Sequence, residues 1–400
     1  MLDMEKLSER INKLAVSETL AMSQKSRDLR SKGINVINLS VGEPDFHTPD
    51  FVKEAAKKAI DDNITFYSPV PGFPDLLEAV SKKLLRENGL TYAPEQIVVS
   101  NGAKHALANV LLALIDRDDE VIVPAPYWVS YVELVKLAEG KNVVIETSIE
   151  SDFKITPKQL ADAITPRTKA LLLCSPSNPT GSVYTRNELA ALAEVVAGHP
   201  NLYVISDEIY EHINFVGKHE SIAQFEAIRD RVIIINGVSK GYAMTGWRIG
   251  YSATPLWLAK ACSKLQGQVT SGASSIAQKA STAAINSDLS YPRMMCEAFI
   301  KRRDLVIERL RRIPGFKINV PQGAFYAFPE ISALFGKKHG DGVINNAADL
   351  AMYLLNTAHV AMVPGGAFGA PNYIRLSYAA SESQLIEALD RIEKAVAELK

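Results

Sequence analysis

Lys240 carries the most suggestive chemistry in the chain. It closes the strand-like run Val232-Ile-Ile-Ile-Asn-Gly-Val-Ser-Lys240 and is followed by Gly241-Tyr-Ala-Met-Thr-Gly-Trp-Arg-Ile-Gly250. A lysine at a strand end is ordinarily a solvated cap. An amine desolvated at the end of a buried strand loses its proton more easily, and a neutral amine forms Schiff bases with carbonyl compounds. Ser239 and Arg248 stand beside it with the chemistry to hold a phosphate. An aldehyde partner for the amine together with a phosphate are the needs of pyridoxal phosphate.

Other polar groups follow other apolar runs. Asn101-Gly102-Ala103-Lys104-His105 opens a helix after the run at 97–99. Free backbone N–H groups at such a start favour anions, although the same residues suit a plain tight turn. Lys104 is either a solvated cap or a group facing a substrate anion. Trp128, in Pro126-Tyr127-Trp128, is either a core residue or a surface on which a flat ring stacks. Asn178, in Ser175-Pro-Ser-Asn-Pro-Thr-Gly181, is a turn residue whose amide is also placed to donate to a phenolate oxygen. Asp207 ends the very apolar run Leu202-Tyr-Val-Ile-Ser-Asp207. It reads as a helix N-cap, or as a buried carboxylate in need of a partner such as a protonated pyridine nitrogen. Tyr210 either packs or shares the phenolate with Asn178. Arg375, in Ile374-Arg-Leu-Ser-Tyr378, forms a surface ion pair or a two-pronged clamp on a carboxylate. Taken singly, each plain reading holds. Together these groups would line the strand ends of one sheet.

The elements needed to bring them together are visible in the pattern. Short apolar runs occur at 97–99, 120–123, 143–146, 170–174, 202–206 and 232–236. Helical stretches lie at 103–115, 128–139, 186–197 and 255–266. Such alternation predicts an α/β fold with a largely parallel sheet covered on both faces, which binds ligands at the carboxyl ends of its strands. Earlier helices are predicted over 8–32, 50–62 and 73–89, and a short strand at 36–40. A long helix at 292–312 leads to a different pattern: the run 323–328, a helix at 347–357, runs at 360–363 and 373–378, and a closing helix at 383–398. The stretch 336–342 is expected to be a surface loop. This predicts a large domain over 51–295 and a smaller α+β domain built from 1–50 and 296–400.

Composition narrows the function. The 400 residues are 47% hydrophobic and 22% charged, with a net charge of −1. That balance points to a soluble globular protein with neither nucleic acid nor membrane as a partner. The basic cluster Lys301-Arg302-Arg303, with Arg309, Arg311 and Arg312, is interrupted by Asp304 and Glu308 and reads as a solvated helix face. Three scattered cysteines suit a reducing, cytoplasmic setting. The start Met1-Leu-Asp-Met-Glu-Lys6 has no apolar leader. The seven histidines show no metal-binding spacing, so no metal is expected.

The motifs Leu39-Ser-Val-Gly-Glu-Pro-Asp-Phe46, Ser175-Pro-Ser-Asn-Pro-Thr-Gly181, Ser206-Asp-Glu-Ile-Tyr210 and Ser239–Gly250, in this order over nearly the full length, resemble the fold-type I pyridoxal-phosphate enzymes. Within them the chain is most similar to the bacterial and plant-type aspartate/prephenate subgroup of class I aminotransferases. The resemblance implies a seven-stranded, mostly parallel sheet in the large domain. It implies that Lys240 binds the cofactor aldehyde and shuttles the substrate α-proton, and that Asp207 pairs with the ring nitrogen. Asn178 and Tyr210 would bond the ring hydroxyl oxygen, and Trp128 would stack on the ring. Gly102, Ala103, Lys104, Ser239 and Arg248 would line the cofactor's phosphate end. Tyr67 would reach that phosphate from the other subunit of a homodimer. Arg375 would clamp the substrate α-carboxylate beside Gly42, Trp128 and Asn178, and Lys104 would meet a distal carboxylate. The segment Gln268-Val-Thr-Ser-Gly-Ala-Ser-Ser275 lacks the arginine that other subgroups place there. The implied reaction is ping-pong transfer of the amino group between L-aspartate and 2-oxoglutarate. Prephenate or aromatic substrates, a lyase on the same scaffold, and a regulator or catalytically silent protein are the alternatives. A regulator would need an added DNA-binding domain, for which the short polar start leaves no room.

Overall fold

The computed structural model describes residues 7–340 and 342–400. The start Met1–Lys6 and Asp341 lie outside the described residues. Seven strands form the central sheet in the spatial order Ile97–Ser100, Gly250–Ala253, Val232–Gly237, Tyr203–Asp207, Thr168–Cys174, Glu120–Ala125, Lys141–Glu146. Every neighbouring pair is parallel except the two made by Gly250–Ala253, which runs antiparallel to both partners. The mostly parallel seven-stranded sheet of the expected α/β fold is therefore present.

Period-two alternation builds its two cores. Val99, Ile122, Leu171, Leu173, Val204 and Ile234 face one apolar cluster. Val98, Val121, Val123, Leu172, Ile205 and Ile233 face the other, beneath the helices Ala103–Leu114 and Leu256–Val269. A third cluster joins Met22, Val36 and Leu39 from the start of the chain to Phe299, Leu310, Phe325, Leu350, Leu376 and Ile392. The parallel pair Ile37–Asn38 with Val360–Ala361 ties these ends together. A three-stranded antiparallel sheet of Val363–Pro364, Ile374–Ser377 and Tyr326–Ala327 places Arg375 in its middle strand.

Several elements differ from expectation. The single helix expected over 8–32 is two, Glu9–Asn12 and Glu18–Ser31. The stretch 336–342 is not simply a loop: Lys338–His339 and Gly342–Val343 pair as a short antiparallel ribbon. The strand Gly250–Ala253 and the helix Ser275–Asn286 were not anticipated. The strand reads Gly-Tyr-Ser-Ala, too short and mixed to register as an apolar run. The long helix Ser290–Leu310 carries Lys301, Arg302, Arg303 and Arg309 of the basic cluster, and Arg311 and Arg312 follow its end. Of its arginines, Arg302 pairs with Asp45, Arg303 with Asp304, and Arg309 with Asp390 and Glu393. No helix among the described residues is long and apolar enough to cross a membrane.

Candidate active site

Five polar segments leave the same edge of the sheet because their strands run parallel. Asn101-Gly102 follows Ile97–Ser100, Tyr127-Trp128 follows Glu120–Ala125, and Ser175–Asn178 follows Thr168–Cys174. Asp207 ends its strand, and Ser239-Lys240 follows Val232–Gly237. Arg248 reaches this edge from the opposite direction. It immediately precedes the reversed strand Gly250–Ala253, whose first residue pairs with both Ser100 and Gly237.

The Lys240 amine donates to the Gly42 carbonyl at 2.5 Å. Burial lowers its pKa to about 8; Glu43 and Asp207 oppose that shift, while Arg248 and Arg375 add to it. The amine is therefore half free near pH 8 rather than near 10.5. In the ligand-free protein, pyridoxal phosphate followed by borohydride should label Lys240 with a midpoint near pH 8 when the modified peptide is quantified by mass spectrometry. A midpoint near 10 would refute the desolvated amine. The same shift makes the folded chain bind fewer protons than the unfolded one between about pH 8 and 10.5. The lysine's contribution to stability thus improves as pH rises through that window.

Asp207 is buried, and the plain reading as a helix cap does not apply, since turns follow it. One carboxylate oxygen accepts the Tyr131 hydroxyl at 2.6 Å, and the other accepts the Ile209 amide at 3.2 Å. Burial raises its pKa to about 6, against the pull of Tyr131, Ile209 and Lys240. The segment is anchored from behind by Glu211, which takes Lys83, Asn88 and Asn236. Burial alone would raise the Glu211 pKa, but Lys83, with His212 and His219, holds it well below the carboxylate range.

Arg375 is 2% exposed, so it is no surface ion pair. It donates to Asn178 Oδ1 at 2.9 Å and to the Ser40 carbonyl at 2.7 Å. Its guanidinium lies 4.6 Å from the Tyr326 ring centre and 4.9 Å from that of Phe368. Its Nε is buried without a partner among the described residues. Arg375 donating to Asn178 Oδ1 fixes the orientation of that amide, and its NH₂ is the donor end. The Tyr210 hydroxyl meets that of Tyr326 at 2.7 Å. A side chain at Gly42 would strike the Tyr326 hydroxyl, which makes glycine a requirement there.

Gly102 adopts φ +86°, and a Cβ on it would collide with the Arg248 guanidinium. The Ala103 and Lys104 amides at the start of Ala103–Leu114 have no intrahelical acceptor. Buried Ser239 lies on the same edge. These residues shape an anion cradle of amides and guanidinium. The Lys104 ammonium sits over the Trp128 indole, 4.9 Å from the ring centre. Desolvation and Arg248 together lower its pKa.

Tyr67 is the exception. It is 96% exposed, and its loop is pinned elsewhere by Ser275 donating to the Phe66 carbonyl and Ser68 to that of Ala273. Two contributors escaped the sequence reading. Tyr131 lies three residues after Trp128, close to one helical turn, which is the signal that could have found it. Tyr326 sits on a two-residue strand with no local mark of its role. A cavity of about 770 Å³, lined by residues such as Glu87, His212, His219 and Asp288, shares none of these site residues.

The family Aminotransferase class I and II matches residues 34–392. A bifunctional aspartate aminotransferase and glutamate/aspartate-prephenate aminotransferase from Petunia hybrida is 48% identical, over 98% of this chain and 83% of its own length. The aspartate aminotransferase structure from Rhizobium meliloti superposes with a TM-score of 0.96 at 43% identity, covering 99% of this chain and 100% of that one. The Thermus thermophilus aspartate aminotransferase with maleate superposes at 0.91 and 42% identity, over 97% and 99%. A match over most of the chain, near-complete relatives and a shared fold agree: this chain belongs to the class I and II aminotransferase family.

Proposed function

We propose that the protein is a pyridoxal-phosphate-dependent aspartate aminotransferase, moving an amino group between L-aspartate and 2-oxoglutarate. One observation carries the reading: Lys240, Asp207, Asn178 and Arg375 come from four separate segments and face one site. The residues suit the cofactor. The cradle of Gly102, Ala103, Ser239 and Arg248 fits a phosphate, and the low-pKa amine of Lys240 fits its aldehyde. When bound, pyridoxal phosphate supplies a carbonyl to carry the amino group and an electron-withdrawing ring.

The chain's own residues do the rest. Asp207, an anion near neutral pH, holds a proton on the ring nitrogen. The Asn178 amide and Tyr210 hydroxyl hold the ring oxygen, and Trp128 covers a ring face. Arg375 grips the substrate α-carboxylate, with its unpartnered Nε as an available donor. Lys240 takes the α-proton at its Nζ and returns it at the neighbouring carbon. L-Aspartate leaves as oxaloacetate, and 2-oxoglutarate then leaves as L-glutamate. Exposed Tyr67, with Phe66 at 82%, suits a homodimer in which Tyr67 completes the partner's phosphate cradle. The core that joins both chain ends, reached from 51–295 mainly by Tyr210, Ile213 and Met295, favours a small domain from 1–50 and 296–400 beside a large domain over 51–295.

Lys104 governs the choice of substrate in this reading. Its ammonium, perched on Trp128 at the site, would meet a distal carboxylate as a point charge. Lys104→Ser should lower kcat/KM for aspartate by about 10-fold or more, the size of a lost hydrogen bond to a charged group. An apolar amino acid should be nearly unaffected. Equal losses on both substrates would sink this role. The relatives named for prephenate make that oxo acid a second acceptor to include. A screen of amino-acid and oxo-acid pairs, following the visible absorbance on adding aspartate, tests the whole reading. A chain whose absorbance ignores aspartate is not this enzyme.

A further inference from the structure

Asp207 needs more than burial to serve as an anion. Its strand end is packed by titratable groups from several elements. Tyr131 approaches from the helix Ser130–Leu137, and Cys174 is its register partner on the adjacent strand. Glu208 follows it in sequence, and Lys240 faces it from the next loop. Burial and Glu208 favour the neutral acid, whereas Lys240 and the donors to the carboxylate favour the anion. The strongest donor is Tyr131, whose hydroxyl lies 2.6 Å from Oδ2. Burial and Asp207 raise the Tyr131 pKa far above 10, so that hydroxyl keeps its proton throughout the working range. Its ring is only 2% exposed and stands edge-on to Trp128, with centroids 5.4 Å apart and planes at 86°. The hydroxyl therefore cannot swing away without disturbing the aromatic proposed to cover the cofactor.

We propose that Tyr131 is a positioning residue that fixes the Asp207 carboxylate as an oriented anion and braces Trp128, coupling the two cofactor contacts through one side chain. The proposal rests on the pyridoxal-phosphate reading for its consequence, but its physical core lies in the ligand-free chain. A carboxylate that loses a donor to its charged form titrates higher. Lost hydrogen bonds to charged groups also weaken binding by roughly 10-fold.

The test compares wild type, Tyr131→Phe and Tyr131→His. The Asp207 carboxyl carbon is followed by NMR in the ligand-free protein and identified by its loss in Asp207→Asn. Tyr131→Phe should raise the Asp207 midpoint by about one pH unit or more. It should weaken pyridoxal phosphate binding about 10-fold and lower kcat while leaving KM for aspartate within about two-fold. Tyr131→His, which can again donate, should recover most of the midpoint shift. An unchanged midpoint in Tyr131→Phe, or no recovery with histidine, would overturn the proposal. If Tyr131→Phe does not fold, the wild-type chain decides. The Tyr131 ring carbon bearing the hydroxyl must shift with the same midpoint as Asp207, and an invariant signal counts against the coupling. Failure of the wild-type protein to bind pyridoxal phosphate would instead remove the functional reading and leave the titration result standing.

Discussion

Lys240→Ala is expected to lose the visible absorbance of the lysine-bound cofactor and at least about 10³-fold in turnover. General acid–base catalysis alone contributes about 10²–10⁴-fold, and in the proposed reading the same side chain would also anchor the cofactor aldehyde. The groups that face the amine are Glu43, Asp207, Arg248 and Arg375, none of them a neutral base of similar reach. The fold should survive, because the Lys240 side chain donates a single hydrogen bond, to Gly42. Single-turnover absorbance with aspartate and steady-state assay with 2-oxoglutarate measure both parts. A folded Lys240→Ala protein that transaminates at the wild-type rate would show that another residue moves the proton.

Asp207→Asn should separate activity from stability. The asparagine keeps the shape but cannot neutralise a protonated ring nitrogen. Removing one partner of a buried charge pair costs about 3–5 kcal/mol, so turnover should fall about 10²–10⁴-fold. The ligand-free protein should respond in the opposite sense. Asp207 titrates near 6 when folded against 3.8 as its ordinary value. Its contribution to stability is therefore complete below about pH 3.8 and is lost as pH rises through about 6. Above that point the buried charge costs about 3 kcal/mol, a cost the asparagine escapes. Ligand-free Asp207→Asn should melt no lower than wild type at pH 8 and should show no advantage at pH 4. Calorimetry of the two ligand-free proteins settles the sign. A clear loss of stability at pH 8 would mean that the anion is better satisfied than its burial implies.

The strand-end logic succeeded because it rests on local signals that tertiary packing rarely reverses. Apolar runs such as 170–174 and 232–236 became central strands, and Asn178, Asp207 and Lys240 came together at their ends. The helix boundaries shifted by a few residues, as fraying ends do. The error over 8–32 arose because a polar stretch holds no apolar stripe to mark where one helix stops. Arg375 shows the limit of a local reading. On its own strand it resembled a surface cation, and only packing against Tyr326 and Phe368 from elsewhere buried it.

Sequence alone thus determined which residues could do the chemistry, because residue type, motif order and strand-end position are all local properties. The tertiary structure decided how those residues are poised. It supplied the reversed strand Gly250–Ala253 that brings Arg248 beside Gly102, and the Tyr131 hydroxyl that bonds Asp207. It also supplied the Tyr326 contact that links Tyr210 to Arg375, and the exposure of Tyr67. Each of these depends on partners far apart in the chain, and no periodicity or short motif encodes a distance between them.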